Sequence, residues 1–268
     1  MVEDDAPVLI EQKGEVCWVT LNRPGRLNAL DDKMTAQLRT FFEGLYRDRS
    51  CRIVVLRGAG RAFCAGLDLA SDQANRFMQD GIPAALDVQR DIRDIMVAMR
   101  RCPQPIIALM HGAAAGGGFV LAMAADIRIA AEGTVMNAAF IRIGLGGCDV
   151  GASYLLPRLI GASPAADILF TGRDLPVERA YALGLLSEVV EPDGLEAAGG
   201  DMADAMLKTA PEALRLTKQC FNANIDASSF EAALALEDRN QVLLGQMQDF
   251  AEGVTAFREK RASRFVGK

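Results

Sequence analysis

The stretch from Ile106 to Ile129, IIALMHGAAAGGGFVLAMAADIRI, restricts the fold of this chain more than any other. Ile106 to Met110 is an apolar run of strand length, broken at Gly112. Gly116, Gly117 and Gly118 follow, and Phe119 to Ala125 is apolar with high helix propensity. Asp126 closes that piece, and Ile127 and Ile129 alternate as in a further strand. The order is therefore strand, glycine turn, buried helix, strand. Bare glycine N–H groups at the start of a helix lie at its positive end, which attracts an anion or a developing negative charge. The same glycines also serve plain packing, by allowing positive φ or a close approach of helix to strand. A glycine run alone does not separate these readings.

A second stretch bears on the choice. RAFCAGLDL, Arg61 to Leu69, follows the short buried strand Ile53 to Leu56 and the turn Gly58-Ala59-Gly60. Its Ala65-Gly66 pair again puts a small-residue turn at a strand end. Two such turns can each direct one backbone N–H at a single carbonyl oxygen. That is an oxyanion hole, which stabilises charge developing in a transition state. RAFCAGLDL and HGAAAGGG, with LNRPGRLNAL before them and AFREKR near the end, resemble the crotonase (enoyl-CoA hydratase/isomerase) superfamily over nearly the whole chain. The resemblance implies an α/β fold, a crotonase-like spiral of ββα units with a C-terminal helical region. It also implies action on an acyl-CoA thioester.

Composition agrees with an enzyme of small molecules. With 268 residues, 50% of them hydrophobic, the chain can bury one large core with a small appendage. Its 29 basic and 35 acidic residues leave a net charge of −6, with no long basic run, which argues against nucleic acid or an anionic membrane as partner. No stretch reaches the roughly 18 unbroken apolar residues of a membrane helix. The start MVEDDAPVLI lacks the cationic and apolar regions of a secretory signal. Cysteines at 17, 51, 64, 102, 148 and 220 are scattered without a C-x-x-C, as reduced, buried thiols of a cytoplasmic protein would be. His111 is the only histidine, so a usual zinc site or a Ser-His-Asp triad is hard to build. No metal or redox cofactor is expected, because coenzyme A arrives on the substrate.

Along the chain, Val8 to Leu21 reads as a hairpin around Lys13-Gly14. Asp31 or Asp32 caps a helix that turns Met34, Leu38, Phe41, Phe42 and Leu45 to one side. Ser71 to Pro83 is polar and mixed and is expected to be mobile. Ala85 to Arg101 is a helix whose Met96 and Met99 either fill the core or line an acyl pocket. After Pro157 the pattern is mostly helical, with a last strand near Leu186 to Val190 and Pro211 opening a helix. Ser228 and Glu231 have capping-box spacing before a helix through Leu244, and Glu252 to Phe265 is a charged helical tail. This divides the chain into an acyl-CoA-binding spiral core, residues 1–195, and a helical oligomerisation region, residues 196–268. The resemblance implies a homotrimer or homohexamer.

The same resemblance assigns the site. The first oxyanion donor is the N–H of Leu67, the residue after Ala-Gly, and the second is the N–H of Gly117. Matching coenzyme A and acyl contacts are Arg26, Ala29, Ala62, Ala65, Gly66 and Gly116. Arg26 either faces the nucleotide phosphates or stays a solvated loop residue. Asp68 caps a turn, and Lys260 matches a basic tail or simply faces solvent. One departure is plain: the two glutamates of typical hydratases are replaced by Val120 and Phe140, and neither moves a proton. Asp149, in GGCDVGASYLLPRLIG, is an acid close by, similar to the aspartate of dienoyl-CoA isomerases and chlorobenzoyl-CoA dehalogenases. It is either the acid/base or a cap on a helix beginning near Val150, and the two roles are compatible. The rival to an enzyme is a degenerate family member that only binds acyl-CoA or scaffolds partners. A dinucleotide reading of the glycines fails at Leu121, and no G-x-S-x-G is present.

Overall fold

The computed structural model describes residues 6–268. Strands β1 (Val8–Lys13) and β2 (Val16–Leu21) form the expected hairpin, with Gly14 at φ +60° in its turn. Helix α1 (Asp32–Gly44) follows, capped by the Asp31 carboxylate, which accepts from the Met34 N–H at 2.8 Å. Then come β3 (Ile53–Gly58), helices α2 (Asp72–Gln79) and α3 (Gly81–Arg101), β4 (Ile106–Met110) and the short β5 (Ala113–Ala115). Helix α4 (Gly117–Ala124) crosses to β6 (Ile127–Ala131) and β7 (Val135–Asn137). Helices α5 (Ala152–Ile160) and α6 (Ala162–Thr171), strand β8 (Leu175–Pro176), α7 (Val177–Ala182) and β9 (Glu188–Val190) complete the sheets. Four more helices close the chain: α8 (Leu195–Leu207), α9 (Pro211–Asn224), α10 (Phe230–Gly245) and α11 (Gln248–Glu259).

The pairing explains why so many strands are apolar on both sides. One sheet runs β1-β2-β3-β4-β6-β9, parallel except at the hairpin; the other runs β5-β7-β8. Ile107 pairs with Ile127 in the first sheet and Ala113 with Val135 in the second. The turns β4-β5-α4 and β6-β7 each lay one strand on each sheet before the chain returns through helix, which is the ββα unit of a spiral, while the turn after β3 touches the second sheet only by an isolated bridge at Cys64. The first sheet is covered on both faces, as parallel sheets require. Val54, Leu56, Ile106 and Ala108 face the main core with α1, α3 and α4, whereas Ile53, Val55, Ile107 and Leu109 face a second core made with α8. Met96 and Met99 lie in the main core, so filler is their role. A boundary between residues 195 and 196 falls at the first residue of α8, and α8 packs on the sheet through Leu195 and Ala203.

Three expectations are corrected. The segment Ser71 to Pro83, expected as a mixed, mobile stretch, folds as α2 and the start of α3: the Ser71 hydroxyl accepts from the Ala74 N–H at 3.1 Å and the Asp32 carboxylate accepts from the Gln73 N–H at 2.8 Å. Its buried face is only Gln73 and Ala74, too little apolar pattern to announce a helix. Helix α10 is capped by Ser229, whose hydroxyl accepts from the Ala232 N–H at 3.1 Å, and not by Ser228. The terminal helix stops at Glu259, and the chain then turns back, with Asp249 accepting from the N–H groups of Val266 and Gly267 at 2.7 and 2.8 Å. Among the described residues no helix is long and apolar enough to cross a membrane.

Candidate active site

Two backbone turns meet because one stray residue pairs with a short strand. Cys64 donates its N–H to the Ala113 carbonyl at 3.1 Å and accepts from the Ala115 N–H at 2.9 Å, a parallel bridge opposite Ala114. Leu67 and Gly117 lie the same number of residues beyond that bridge, so the two chains leave it in step. Gly66 makes their contact close. Its φ is +91°, and a Cβ there would sit 2.8 Å from the Ala115 carbonyl oxygen and 3.3 Å from the Gly117 nitrogen. On the other flank, Leu30 donates to the Gly66 carbonyl at 2.7 Å and accepts from the Asp68 N–H at 2.9 Å. Those bonds hold the turn and leave the Leu67 N–H over. Among the described residues neither the Leu67 nor the Gly117 N–H has an acceptor. Gly117 is also the first residue of α4, whose N-terminus has no side-chain cap among the described residues and carries the partial positive charge of a helix start.

Asp149 reaches the same place from a different element. Val150 at φ +37° and Gly151 at φ +110° reverse the chain just before α5. Asp149 is half-buried, and its Oδ1 accepts from the Val150 N–H at 2.8 Å and from the Gln89 side-chain amide on α3. Oδ2 has no donor among the described residues. The carboxylate does not cap a helix: α5 begins at Ala152, after Gly151, and it is the Asp149 backbone carbonyl that accepts from the Ala152 N–H at 2.7 Å.

These groups share a cavity of about 150 Å³. Ala65, Gly66, Leu67, Gly116, Gly117 and Asp149 line it, and Leu30, Phe77, Val88, Ile92, Phe140 and Leu145 supply apolar wall. Asp149 is the one charged side chain in that lining and Gln89 the one neutral polar side chain. Phe140 lines the cavity, and Val120 is fully buried in the core.

Comparison with known proteins shows the family. The model of the enoyl-CoA hydratase/isomerase family matches residues 11–268. The chain belongs to that family. It is 37% identical over 263 residues to a Mycobacterium bovis protein named probable enoyl-CoA hydratase, covering 97% of this chain and 92% of the relative. It is 36% identical over 260 residues to 1,2-epoxyphenylacetyl-CoA isomerase of Escherichia coli, covering 96% and 97%. The crystal structure of enoyl-CoA hydratase from Bacillus anthracis superposes with a TM-score of 0.91 at 29% identity, covering 98% of this chain and all of that one, 100%. The fold is thus the crotonase fold, as the motifs implied.

Within this hydratase/isomerase chain, several expected site residues lie outside the cavity. Arg26 is exposed in the short 3-10 turn Pro24–Arg26. Ala29 and Ala62 are buried, their carbonyls accepting from Arg23 and, at 2.7 Å, from the Asn28 amide. Asp68 does cap a turn, accepting from the Ala70 N–H at 3.1 Å and pairing with Arg23 at 2.8 Å. Burial works against its charge, yet Arg23 and the Ala70 N–H hold its carboxyl below the usual range. Behind the hole, burial pushes the Cys64 thiol up to about 12, so it stays a neutral packing group. Lys260 is exposed at the end of α11. Gln89 and Leu30 were not singled out from the sequence. For Gln89 a signal existed: it sits between Val88 and Ile92 on the inward side of α3.

Proposed function

We propose that this family member is an acyl-CoA enzyme in which the Leu67 and Gly117 N–H groups hold the thioester oxygen and Asp149 moves the proton. The observation that carries this is the convergence on one apolar cavity of two backbone donors and one carboxylate oxygen that have no hydrogen-bond partner among the described residues. A thioester carbonyl held by two N–H donors becomes enolate-like as charge develops on its oxygen. Asp149 Oδ2 takes a proton from the acyl chain, and the C–H electron pair passes into the enolate. The same oxygen returns the proton at another carbon, which is isomerisation with a single acid–base group. Addition of water without a second carboxylate is harder, because Val120 and Phe140 offer no proton site. The relative named 1,2-epoxyphenylacetyl-CoA isomerase supports this branch, and the relatives named hydratases support the alternative. The apolar walls suit an uncharged acyl or aryl group. Arg26, Ala29 and Ala62 belong to the coenzyme A side of this proposal, with Ala65, Gly66 and Gly116 at the acyl side.

A panel of 2-enoyl-, 3-enoyl- and epoxyacyl-CoA thioesters, read by mass spectrometry, tests it. The expected outcome is a product of unchanged mass for at least one member. Asp149→Asn should keep binding and lose about 10²–10⁴ in rate. Normal turnover by that variant sinks Asp149 as acid/base, and binding of the whole panel without turnover favours a scaffold. We further propose a cytoplasmic homotrimer or homohexamer assembled through the C-terminal helices, which expose Phe230, Val242, Leu243, Phe250 and Phe257. Sedimentation velocity reads the mass, and a monomer at micromolar concentration counts against assembly.

A further inference from the structure

We infer that Gln89 is a positioning residue that fixes one oxygen of Asp149, so that only the other meets the acyl chain. The inference rests on Asp149 as the acid/base. It starts from an asymmetry: among the described residues Oδ1 takes both donors, the Val150 N–H at 2.8 Å and the Gln89 amide, and Oδ2 takes none. A carboxylate torsion is broad and nearly two-fold, so one bond to its own turn leaves the group free to pivot. The second bond comes from a different element. Helix α3 is anchored in the main core by Val88, Ile92, Ile95 and Met99, which makes Gln89 a donor on a fixed support. Asp149 by contrast sits on a loop reversed by Val150 and Gly151 at positive φ. Gln89 therefore ties the loop carboxylate to the helix across a separation of 60 residues.

The residue type matters as well as the place. An amide donates to the carboxylate without titrating, so the site keeps a single acid–base group. When the acyl C–H bond breaks, its electron pair enters the enolate and the Oδ2–H bond forms. When the second C–H bond forms, the enolate pair returns to carbon and Oδ2–H gives up its proton. Gln89 gains and loses nothing in either step. Its contribution is to keep Oδ2 on both carbons in turn, which is orientation rather than chemistry.

The test replaces Gln89 by leucine, of similar volume and good helix propensity, in the full chain, with the panel thioester turned over fastest. Gln89→Leu should lower kcat by about 10–100-fold while KM stays within about twofold, since the lost interaction acts only at the reacting centre. In deuterated water its product should carry more solvent deuterium than that of the parent, because a loosely held acid exchanges before it returns the proton. Thermal melting checks the fold, and Gln89→Met gives the same readout if the leucine variant does not fold. Unchanged kcat and deuterium content, with Asp149→Asn inactive, overturn the role of Gln89 alone. A change in KM without one in kcat also overturns it, making Gln89 a binding contact. An active Asp149→Asn overturns the proposal beneath it.

Discussion

Helices α4 and α10 are built from much the same apolar residues and are used in opposite ways. Every residue of α4, Gly117 to Ala124, is buried, whereas α10 buries only Asn240 and leaves Phe230 75% and Val242 66% exposed. Helix α4 packs against α3, α5 and β5 with all its residues buried, so the first N–H of the helix is held in place. Helix α10 has no such support within the chain. The contrast teaches that an oxyanion donor belongs on an element that cannot shift, while apolar surface that the chain leaves open suits contact with another copy. Each claim can be attacked separately, beginning with the larger effect.

The rigid end is tested at Gly117. A Cβ there would meet Leu30 Cδ1 at 3.6 Å and Gly66 Cα at 3.9 Å, ordinary contacts, and its φ is not positive. Gly117→Ala should therefore stay near parental activity, because the N–H survives. Gly117→Pro removes the donor and should lose about 10²–10³ in kcat. Circular dichroism controls for folding. Equal damage by both would mean that the glycine serves packing and that its N–H is not a donor.

The junction between core and tail is tested at Lys218 on α9. Its buried ammonium donates to the carbonyls of Met99 at 3.1 Å and Gln104 at 2.7 Å and pairs with Asp126 at 2.8 Å. Asp126 in turn accepts from the Ile106 N–H at 2.8 Å, at the start of β4. Lys218→Met leaves the half-buried Asp126 with Arg100, at 3.5 Å, as its counter-ion and takes the ammonium donor from two carbonyls, and should cost about 1–3 kcal/mol in urea unfolding. Adding Asp126→Asn should recover part of that loss, as coupled partners do. A single-variant loss below about 1 kcal/mol would show that the tail is not held here.

The smallest effect is expected at Phe257, 85% exposed on α11. Phe257→Ser should leave unfolding of the chain within about 0.5 kcal/mol and reduce the sedimenting mass if this face meets another copy. An assembly of unchanged mass would place the contact on a face other than that of Phe257.

The features legible in the sequence are those governed by neighbours. The hairpin at Gly14, the Asp31 cap, the strand–glycine–helix–strand order of Ile106 to Ile129 and the Pro211 helix start are each set within a few residues. Periodicity and capping act at that range. The motifs also marked Leu67, Gly117 and Asp149 as one set. Helix α2 escaped because its cap is local but its support, the Asp32 carboxylate, lies on another helix. Strand β5 escaped because three alanines carry no alternation.

By itself the sequence determined most of the elements, the apolar faces, the two glycine turns and the absence of glutamates at Val120 and Phe140. Only the tertiary structure decided that Cys64 bridges to Ala114, that the two N–H groups have no acceptor among the described residues, and that Gln89 reaches Asp149. The physical reason is range. Backbone preference and side-chain period are written into adjacent residues, but a hydrogen bond between residues 60 apart exists only after the sheets have wound and the core has closed around them.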